Sequence, residues 1–326
     1  MINSSLTDIK ENDMLKYDRL LLPILLKDHS SKKNIIWATD NYEPLGEGYK
    51  FSSHIEVSAI TGSNGTIIRP RVNKNKAEQQ SRVKDKAEVF TPSWICNKQN
   101  NLIDNAWFAT DEDIFNIEID KIWQPIERPI SFPTKEGKTW QDYVRDIRLE
   151  VSCGEAPYLA SRYDTITGEF IEIKCRIGLL DRKLRVISEN IDNKEEWFEW
   201  TRIAFQSVYG FEWQGDNLLL ARENLLYTLL DYHKAKFGEI PNKEHIREIA
   251  KIISWNIWQM DGLKGVIPNS CSDHMIITYN LFGEADEAVI KCGGCQKNDI
   301  KKHNGIYCKI KDWQTGRTLK FVSLLK

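Results

Sequence analysis

Stretches typical of strands and helices alternate in the middle of the chain. Apolar positions between residues 217 and 237 recur every three to four residues, which predicts a helix, and residues 245–253 follow the same spacing. Short apolar runs at 147–151, 208–212 and 256–261 predict three strands. Because strands that alternate with helices form parallel sheets, we expect an α/β unit whose ligands bind beyond the carboxyl ends of the strands.

The regions on either side of this unit differ from it in composition. Residues 1–85 predict a small N-terminal module that ends in a basic linker, and residues 86–270 contain the alternating unit. Residues 271–326 predict a C-terminal tail rich in cysteine. The long interval 164–205, between the first two predicted strands, is expected to fold outside the sheet.

Composition narrows the class of protein. The chain has 326 residues, of which 41% are hydrophobic and 28% charged, and this balance excludes a disordered tail or a coiled coil. No apolar run approaches the ~18 residues of a membrane span, and the mixed-charge opening residues do not resemble a secretory signal. We therefore expect a soluble, cytoplasmic protein that has no membrane partner.

The net charge of −2 means that DNA binding would require a local concentration of cations. One segment between residues 69 and 86 has that concentration. It contains Arg69, Arg71, Lys74, Lys76, Arg82, Lys84 and Lys86. Two interpretations of this segment remain open, namely an arm that contacts the DNA backbone and a solvated linker.

Cysteine and histidine concentrate near the end of the chain, where Cys292, Cys295, His303 and Cys308 lie within seventeen residues. Three thiols and one imidazole suit tetrahedral Zn²⁺, which predicts a structural zinc knuckle. The alternative is a pair of reduced surface cysteines with an unrelated histidine. The odd total of seven cysteines favours a reducing compartment over a disulfide framework.

Each predicted strand ends in an acidic residue, namely Glu150, Glu212 and Asp261. Gly154, just past the first strand, allows the backbone to approach a ligand closely. A carboxylate after the second strand can accept hydrogen bonds from ribose hydroxyls, and one after the third can bind an exocyclic amino group. Together these residues predict a pocket for an adenosine-containing cofactor.

Four segments in order resemble the M subunits of restriction systems, which are N6-adenine DNA methyltransferases of the γ order that use S-adenosylmethionine. The segments are Ala-Glu-Val-Phe-Thr-Pro at 87–92, Leu-Glu-Val-Ser-Cys-Gly at 149–154, Tyr-Gly-Phe-Glu at 209–212 and Asn-Ile-Trp-Gln-Met-Asp at 256–261. The resemblance implies that Phe90, Thr91 and Pro92 border the methionine end of the cofactor. It further implies that Glu150 and Gly154 belong to the cofactor loop, that Glu212 binds the ribose and that Asp261 contacts the adenine.

The implied fold is a Rossmann-like S-adenosylmethionine methyltransferase sheet, complete or incomplete, with a small N-terminal module and a zinc-knuckle-like tail. Two departures from the family pattern stand out. Ala156 replaces the second glycine of the cofactor loop, and Glu155 places a negative charge near the cofactor carboxylate unless it points away. In addition, the chain contains no Asn/Asp-Pro-Pro-aromatic tetrapeptide, the loop at which the family methylates a flipped adenine.

The resemblance thus implies an S-adenosylmethionine-binding modification subunit that acts on double-stranded DNA, with another restriction–modification subunit completing its active site. No catalytic residue is assigned. The alternative is a catalytically silent, methyltransferase-like subunit for DNA recognition or assembly.

Overall fold

A computed structural model describes residues 7–86, 88–133, 137–279 and 285–325. Ala87, the first residue of the 87–92 segment, lies outside these ranges. The helices are α1 Glu11–Tyr17, α2 Leu21–Leu26, α3 Lys76–Lys86, α4 Ser93–Phe108, α5 Trp140–Arg145, α6 Leu179–Asn190, α7 Lys194–Gln206, α8 Gly215–Phe237, α9 Lys243–Asn256 and α10 Gly293–Lys297. The strands are β1 Asn116–Ile119, β2 Ile122–Pro125, β3 Arg148–Val151, β4 Val208–Glu212, β5 Ile257–Gln259, β6 His274–Tyr279, β7 Ala285–Ile290, β8 Lys309–Lys311 and β9 Thr318–Lys320.

The three predicted strands form one parallel sheet in the order β3-β4-β5. Glu150 lies opposite Gly210, and Glu212 lies opposite Gln259, so the carboxyl ends of the strands meet at one edge. The other strands pair as the antiparallel hairpins β1–β2, β6–β7 and β8–β9. The fold is therefore mixed α/β with small sheets, and the described residues do not form a full Rossmann sheet.

Helix α8 is the centre of the hydrophobic core. Every residue from Gly215 to His233 is buried, because other elements surround this helix on all sides. Helices α6 and α7 account for much of the 164–205 interval and contribute buried side chains to the same core. That core is continuous from Ile9 to Ile257, so it runs across residue 85, the predicted boundary of the N-terminal module.

The N-terminal region contacts the open edge of β5 through a side chain. The Gln259 side-chain amide accepts from the backbone N–H of Ile36 at 2.9 Å and donates to its carbonyl at 2.8 Å. Ile36 also forms an isolated bridge with His54. Gln259 thus holds Ile36 beside the sheet, while the backbone N–H of Gly215 and the indole N–H of Trp213 donate to the carbonyls of residues 37 and 38.

The basic segment packs against α8. Lys74 and Arg82 are buried, and both face Asp216, with nitrogen–oxygen distances of 3.6 and 2.6 Å. Burial would raise the pKa of Asp216, but the charges of Arg82 and Lys74 hold it well below its usual range. These two cations are therefore unavailable to DNA phosphates, whereas Lys76 and Lys84 are exposed. Within the described ranges, no helix has the length and apolar character needed to cross a lipid bilayer.

Candidate cofactor cleft and metal centre

A cleft of about 890 Å³ opens at the carboxyl ends of β3 and β4. It brings together five of the residues singled out from the sequence as cofactor ligands: Phe90, Thr91, Glu150, Gly154 and Glu212. Pro92 and Asp261 do not line it. The grouping follows from the parallel sheet, because that arrangement places the ends of neighbouring strands side by side.

Glu212 and Glu150 organise the loop after β3. The Glu212 carboxylate accepts from the backbone N–H of Gly154 at 2.9 Å and from that of Gln214 at 3.1 Å. Glu150 accepts from the N–H groups of Tyr158 and Leu159 at 3.3 and 3.2 Å. Burial raises the pKa of Glu212 to about 7 and raises that of Glu150 well above its usual range. Both carboxyl groups therefore gain from a ligand that donates hydrogen bonds or carries positive charge.

The loop itself has unusual backbone geometry. Ser152, Gly154 and Ala156 adopt φ angles of 52°, 53° and 62°. The left-handed conformation is unfavourable by roughly 1–2 kcal/mol for a residue with a Cβ atom. Ala156 therefore adopts, at that cost, the backbone conformation that is typical of the glycine it replaces. Glu155 points away from the cleft, where it accepts from the backbone N–H of Arg71 at 2.7 Å and from the hydroxyl of Tyr163 at 2.6 Å. Strain of this kind concentrates at ligand-binding sites.

The cleft has acidic side chains and no basic ones. The acidic residues are Glu88, Glu150 and Glu212, and no lysine, arginine or histidine lines the cleft in the described part of the chain. Aromatic rings complete the walls, contributed by Phe51, Phe90, Tyr158 and Trp213. Such a lining disfavours phosphate groups and favours a ligand with a cation and several N–H or O–H donors.

Asp261, the predicted adenine contact, does not line the cleft. Its carboxylate accepts from the backbone N–H groups of Leu263 and Lys264 at 3.0 and 3.2 Å, and Asp261 pairs with Val266 in an isolated bridge that closes this turn. The side chain is buried, and its hydrogen bonds hold this turn rather than the cleft loop.

Two residues of the cleft come from the N-terminal region, which the sequence reasoning left without a role. Ala38 and Phe51 line the same wall as Trp213, and the rings of Phe51 and Trp213 make an edge contact with 6.4 Å between their centroids. No spacing or periodicity in the chain signals this contribution, because it depends on how residues 36–38 dock beside β5.

The second candidate site is a cluster of Cys271, Cys292, Cys295 and His303, whose ligand atoms all lie within 4.8 Å of one another. Cys271 Sγ lies 3.2 Å from Cys292 Sγ, 3.6 Å from Cys295 Sγ and 3.4 Å from His303 Nδ1. A zinc tetrahedron with bonds of about 2.3 Å to sulfur has sulfur–sulfur edges of about 3.8 Å, close to this spacing. The donor set and its geometry therefore fit Zn²⁺.

Three of the four predicted zinc ligands belong to this cluster, but Cys308 does not. Its thiol is fully buried and donates to the carbonyl of Gln259 at 3.2 Å. Cys271 takes its place because β6 pairs with β7, which brings the two ends of the 272–291 interval together. The prediction that Cys308 ligates the metal is thus wrong, since sequence distance hid the spatial neighbour across the hairpin.

Two thiols of the cluster have their pKa values shifted in opposite directions, and burial raises the pKa of Cys271 to about 12. Burial opposes ionisation of Cys292, but hydrogen bonds from the backbone of Cys295 and the thiol of Cys271 outweigh it and lower the pKa of Cys292 to about 5. A Cβ atom on Gly294 would lie 2.6 Å from Nδ1 of His303. Glycine is therefore required at this position for the imidazole to approach the three sulfur atoms.

No known protein family matches the chain, and searches of curated proteins and of solved structures also find no match. The geometry of the cleft and of the Cys/His cluster is therefore the basis for a functional assignment.

Proposed function

We propose that the chain binds S-adenosylmethionine in the cleft and serves as the cofactor-binding modification subunit of a DNA adenine-N6 methyltransferase. The observation that carries this proposal is the all-acidic, aromatic-walled cleft at the carboxyl ends of β3 and β4. S-adenosylmethionine has a sulfonium cation, an ammonium group, ribose hydroxyls and an adenine amino group, and its one anionic group is a carboxylate rather than a phosphate. A cleft that offers carboxylates and π faces suits this ligand better than a dinucleotide or ATP.

Within this proposal Glu212 is the ribose ligand. Its carboxylate lies at the end of β4 and already orders the Gly154 backbone, so a ribose held there would also contact the loop. Phe90 lies over that loop, since a Cβ atom on Gly154 would be 3.7 Å from the Phe90 ring. Binding and orientation of the cofactor are thus the functions that these residues support.

A structural Zn²⁺ would be held by the Cys/His cluster, namely Cys271, Cys292, Cys295 and His303. The ion would cross-link the base of the β6–β7 hairpin. The tail beyond the cluster packs on the sheet, where the Tyr209 hydroxyl donates to the carbonyl of Lys311 at 3.2 Å. The metal would therefore stabilise the C-terminal region near β4 and β5 without taking part in methyl transfer.

Because the chain lacks an Asn/Asp-Pro-Pro-aromatic loop, the proposal requires that another subunit supply the adenine-binding loop. Double-stranded DNA and this partner subunit are the macromolecules the function requires. A methylation assay on adenine-containing duplex DNA, with and without the products of neighbouring genes, tests this requirement. Cofactor binding without methylation under any of these conditions would favour the silent recognition or assembly subunit.

Calorimetric titration with S-adenosylmethionine tests the cofactor itself. Glu212→Ala should weaken binding by about 1.5–3 kcal/mol, the usual value of a hydrogen bond to a charged group. Asp261→Ala provides a matched control, because this carboxylate is equally buried but holds a turn outside the cleft. Equal weakening in both variants would contradict the placement of the cofactor, and absence of binding to the wild-type protein would overturn the proposal.

A further inference from the structure

Charge is distributed unevenly along the chain. Residues 291–326 contain nine lysine or arginine residues and two aspartates, which gives this segment a net charge of +7. Because the whole chain carries −2, residues 1–290 carry −9. Three thiolates and one Zn²⁺ would give the Cys/His cluster a charge of only −1, so the segment stays basic with the metal in place. A basic terminal segment on an acidic protein is typical of a surface that binds a polyanion.

Most of these cations are accessible. Six of the nine side chains are exposed, namely those of Lys291, Lys297, Lys301, Lys302, Arg317 and Lys320. Among the described residues, only Lys302 of these six forms an ion pair, with 2.9 Å between its Nζ and a carboxylate oxygen of Asp299. The other five are therefore not neutralised by a carboxylate of the protein.

The Cys/His cluster brings four of these lysines together. Lys291, Lys297, Lys301 and Lys302 each lie within two residues of a cluster ligand, and the ligand atoms lie within 4.8 Å of one another. Since consecutive Cα atoms are about 3.8 Å apart, the Cα atoms of all four lysines lie within about 13 Å of the cluster centre. The loop is compact as well, because a Cβ atom on Gly293 would lie 3.8 Å from the carbonyl oxygen of Lys302.

The β8–β9 hairpin extends this basic surface. The Tyr307 hydroxyl accepts from the backbone N–H of His303 at 2.8 Å, and Nζ of Lys320 lies 5.0 Å from the centre of the Tyr307 ring. Lys309 is directly opposite Lys320 in the pairing of β8 with β9. Like charges at opposed positions destabilise a strand pair, so an anion bound beside them would relieve this repulsion. The hairpin thus points to an anionic ligand independently of the net charge.

The other candidate for DNA contact, the segment between residues 69 and 86, has fewer accessible cations. Lys74 and Arg82 are buried against Asp216. The exposed cations of that segment, among its described side chains, are Lys76 and Lys84. They provide a charge-matched comparison for the lysines around the cluster.

We propose that the lysine surface around the Cys/His cluster, formed by Lys291, Lys297, Lys301, Lys302 and Lys320, binds the phosphate backbone of double-stranded DNA. This inference rests on the proposed function, under which double-stranded DNA is the substrate. Lysine acts as a point charge and phosphate contacts carry no sequence information, so the surface would hold the duplex without selecting its sequence. The metal would keep the lysines close together.

Fluorescence anisotropy of a labelled duplex, titrated with the zinc-loaded full chain, measures this binding. Lys297→Gln/Lys301→Gln should weaken it at least about tenfold at about 50 mM salt. The logarithmic salt dependence should also become shallower by about 2, because each lost phosphate contact contributes roughly 0.9. Duplexes of unrelated sequence should show the same loss. Lys291→Gln/Lys320→Gln changes two other cations of the surface and should have a similar effect.

Lys76→Gln/Lys84→Gln is the matched control, since it removes the same charge from exposed positions on α3 and should leave the salt dependence unchanged. All three double variants should retain zinc and the calorimetric affinity for S-adenosylmethionine. An unchanged salt dependence in both cluster variants, or an equal change in the control, would overturn the lysine surface.

The outcomes also separate this surface from the proposed function. If the wild-type protein binds S-adenosylmethionine but no duplex, the lysine surface is wrong while cofactor binding stands. If the cluster variants lose DNA binding as expected but the wild-type protein does not bind S-adenosylmethionine, the surface stands and the proposed function fails.

Discussion

The cleft and the Cys/His cluster are built in opposite ways. The cluster takes its four ligands from residues 271 to 303, and one hairpin brings them together. The cleft takes its lining from residues between Ala38 and Asn217, which meet only after the parallel sheet has formed and α8 has packed behind it. A metal ion can organise the first site locally, whereas the second depends on the integrity of the whole core.

The two sites also treat their acidic groups differently. Hydrogen bonds around Cys292 lower the pKa of its thiol to about 5, which favours the charged form that binds a metal. In the cleft, burial dominates and raises the pKa of Glu212 to about 7. The Cys292 thiol therefore ionises more readily than a free cysteine, although burial raises the pKa of Cys271 in the same cluster to about 12, while the raised pKa of Glu212 favours its protonated form.

The largest expected effect is on metal content. We expect the purified protein to contain close to one zinc per chain, and Cys271→Ser should lose it, because structural zinc sites bind with about 10–16 kcal/mol in small peptides. Cys308→Ser should retain its zinc, since this thiol lies outside the cluster. Elemental analysis after dialysis under reducing conditions measures both. Zinc loss in Cys308→Ser with retention in Cys271→Ser would reverse the ligand assignment.

The next largest effect is on the free energy of unfolding, through the buried ion pairs behind the cleft wall. Arg82→Met leaves Asp216 and Glu88 buried without their shared guanidinium, so the free energy of unfolding should fall by about 3–5 kcal/mol. Urea denaturation measures this loss, and Lys84→Met, an exposed position on the same helix, should remain within about 0.5 kcal/mol. Similar losses in the two variants would mean that the basic segment does not pack as described.

The stability of the cleft region should fall as pH rises, whereas that of the metal site should increase. Glu212 binds its proton more tightly in the folded protein than in the unfolded chain, so its stabilising contribution is complete below about pH 4.3 and is lost as pH rises through about 7. This contribution is on the order of 3–4 kcal/mol. The metal site instead gains stability with rising pH, because its ligands must be free of protons.

Urea denaturation between pH 5 and 8, with zinc saturating, should therefore show a component that falls with pH and disappears in Glu212→Gln. Zinc retention measured over the same range should rise with pH and be unaffected by that substitution. An unchanged pH profile in Glu212→Gln would show that the carboxyl does not titrate in this interval.

The smallest effect concerns the strained loop. Ala156→Gly relieves roughly 1–2 kcal/mol of left-handed strain, but it removes a fully buried methyl group worth about 0.8 kcal/mol and frees the unfolded chain. The free energy of unfolding should consequently change by less than about 1 kcal/mol. Gly154→Ala, at a φ of 53°, should destabilise by about 1 kcal/mol in the same denaturation experiment. A large stabilisation in Ala156→Gly would show that strain dominates at this position.

Local sequence patterns were sufficient to predict several helices and strands and part of each candidate site. Apolar runs predicted β4 at 208–212, and helical spacing predicted α8 and α9. The order of acidic strand ends grouped Glu150 with Glu212, and the Cys-x-x-Cys spacing identified Cys292 and Cys295. These features are readable because periodicity, strand ends and short ligand spacings are properties of neighbouring residues.

The tertiary structure decided the remaining assignments. It placed Asp261 in its own turn, exchanged Cys308 for Cys271, buried Lys74 and Arg82 against Asp216, and brought Phe51 to the cleft. Each of these outcomes joins segments that are distant in the chain or depends on which way a side chain turns from its strand. Sequence alone determined which chemical groups this protein has near its strand ends and hairpin. Pairing of β6 with β7 and packing around α8 and β5 determined which of those groups share a site, because contact free energies between distant segments leave no local periodicity to read.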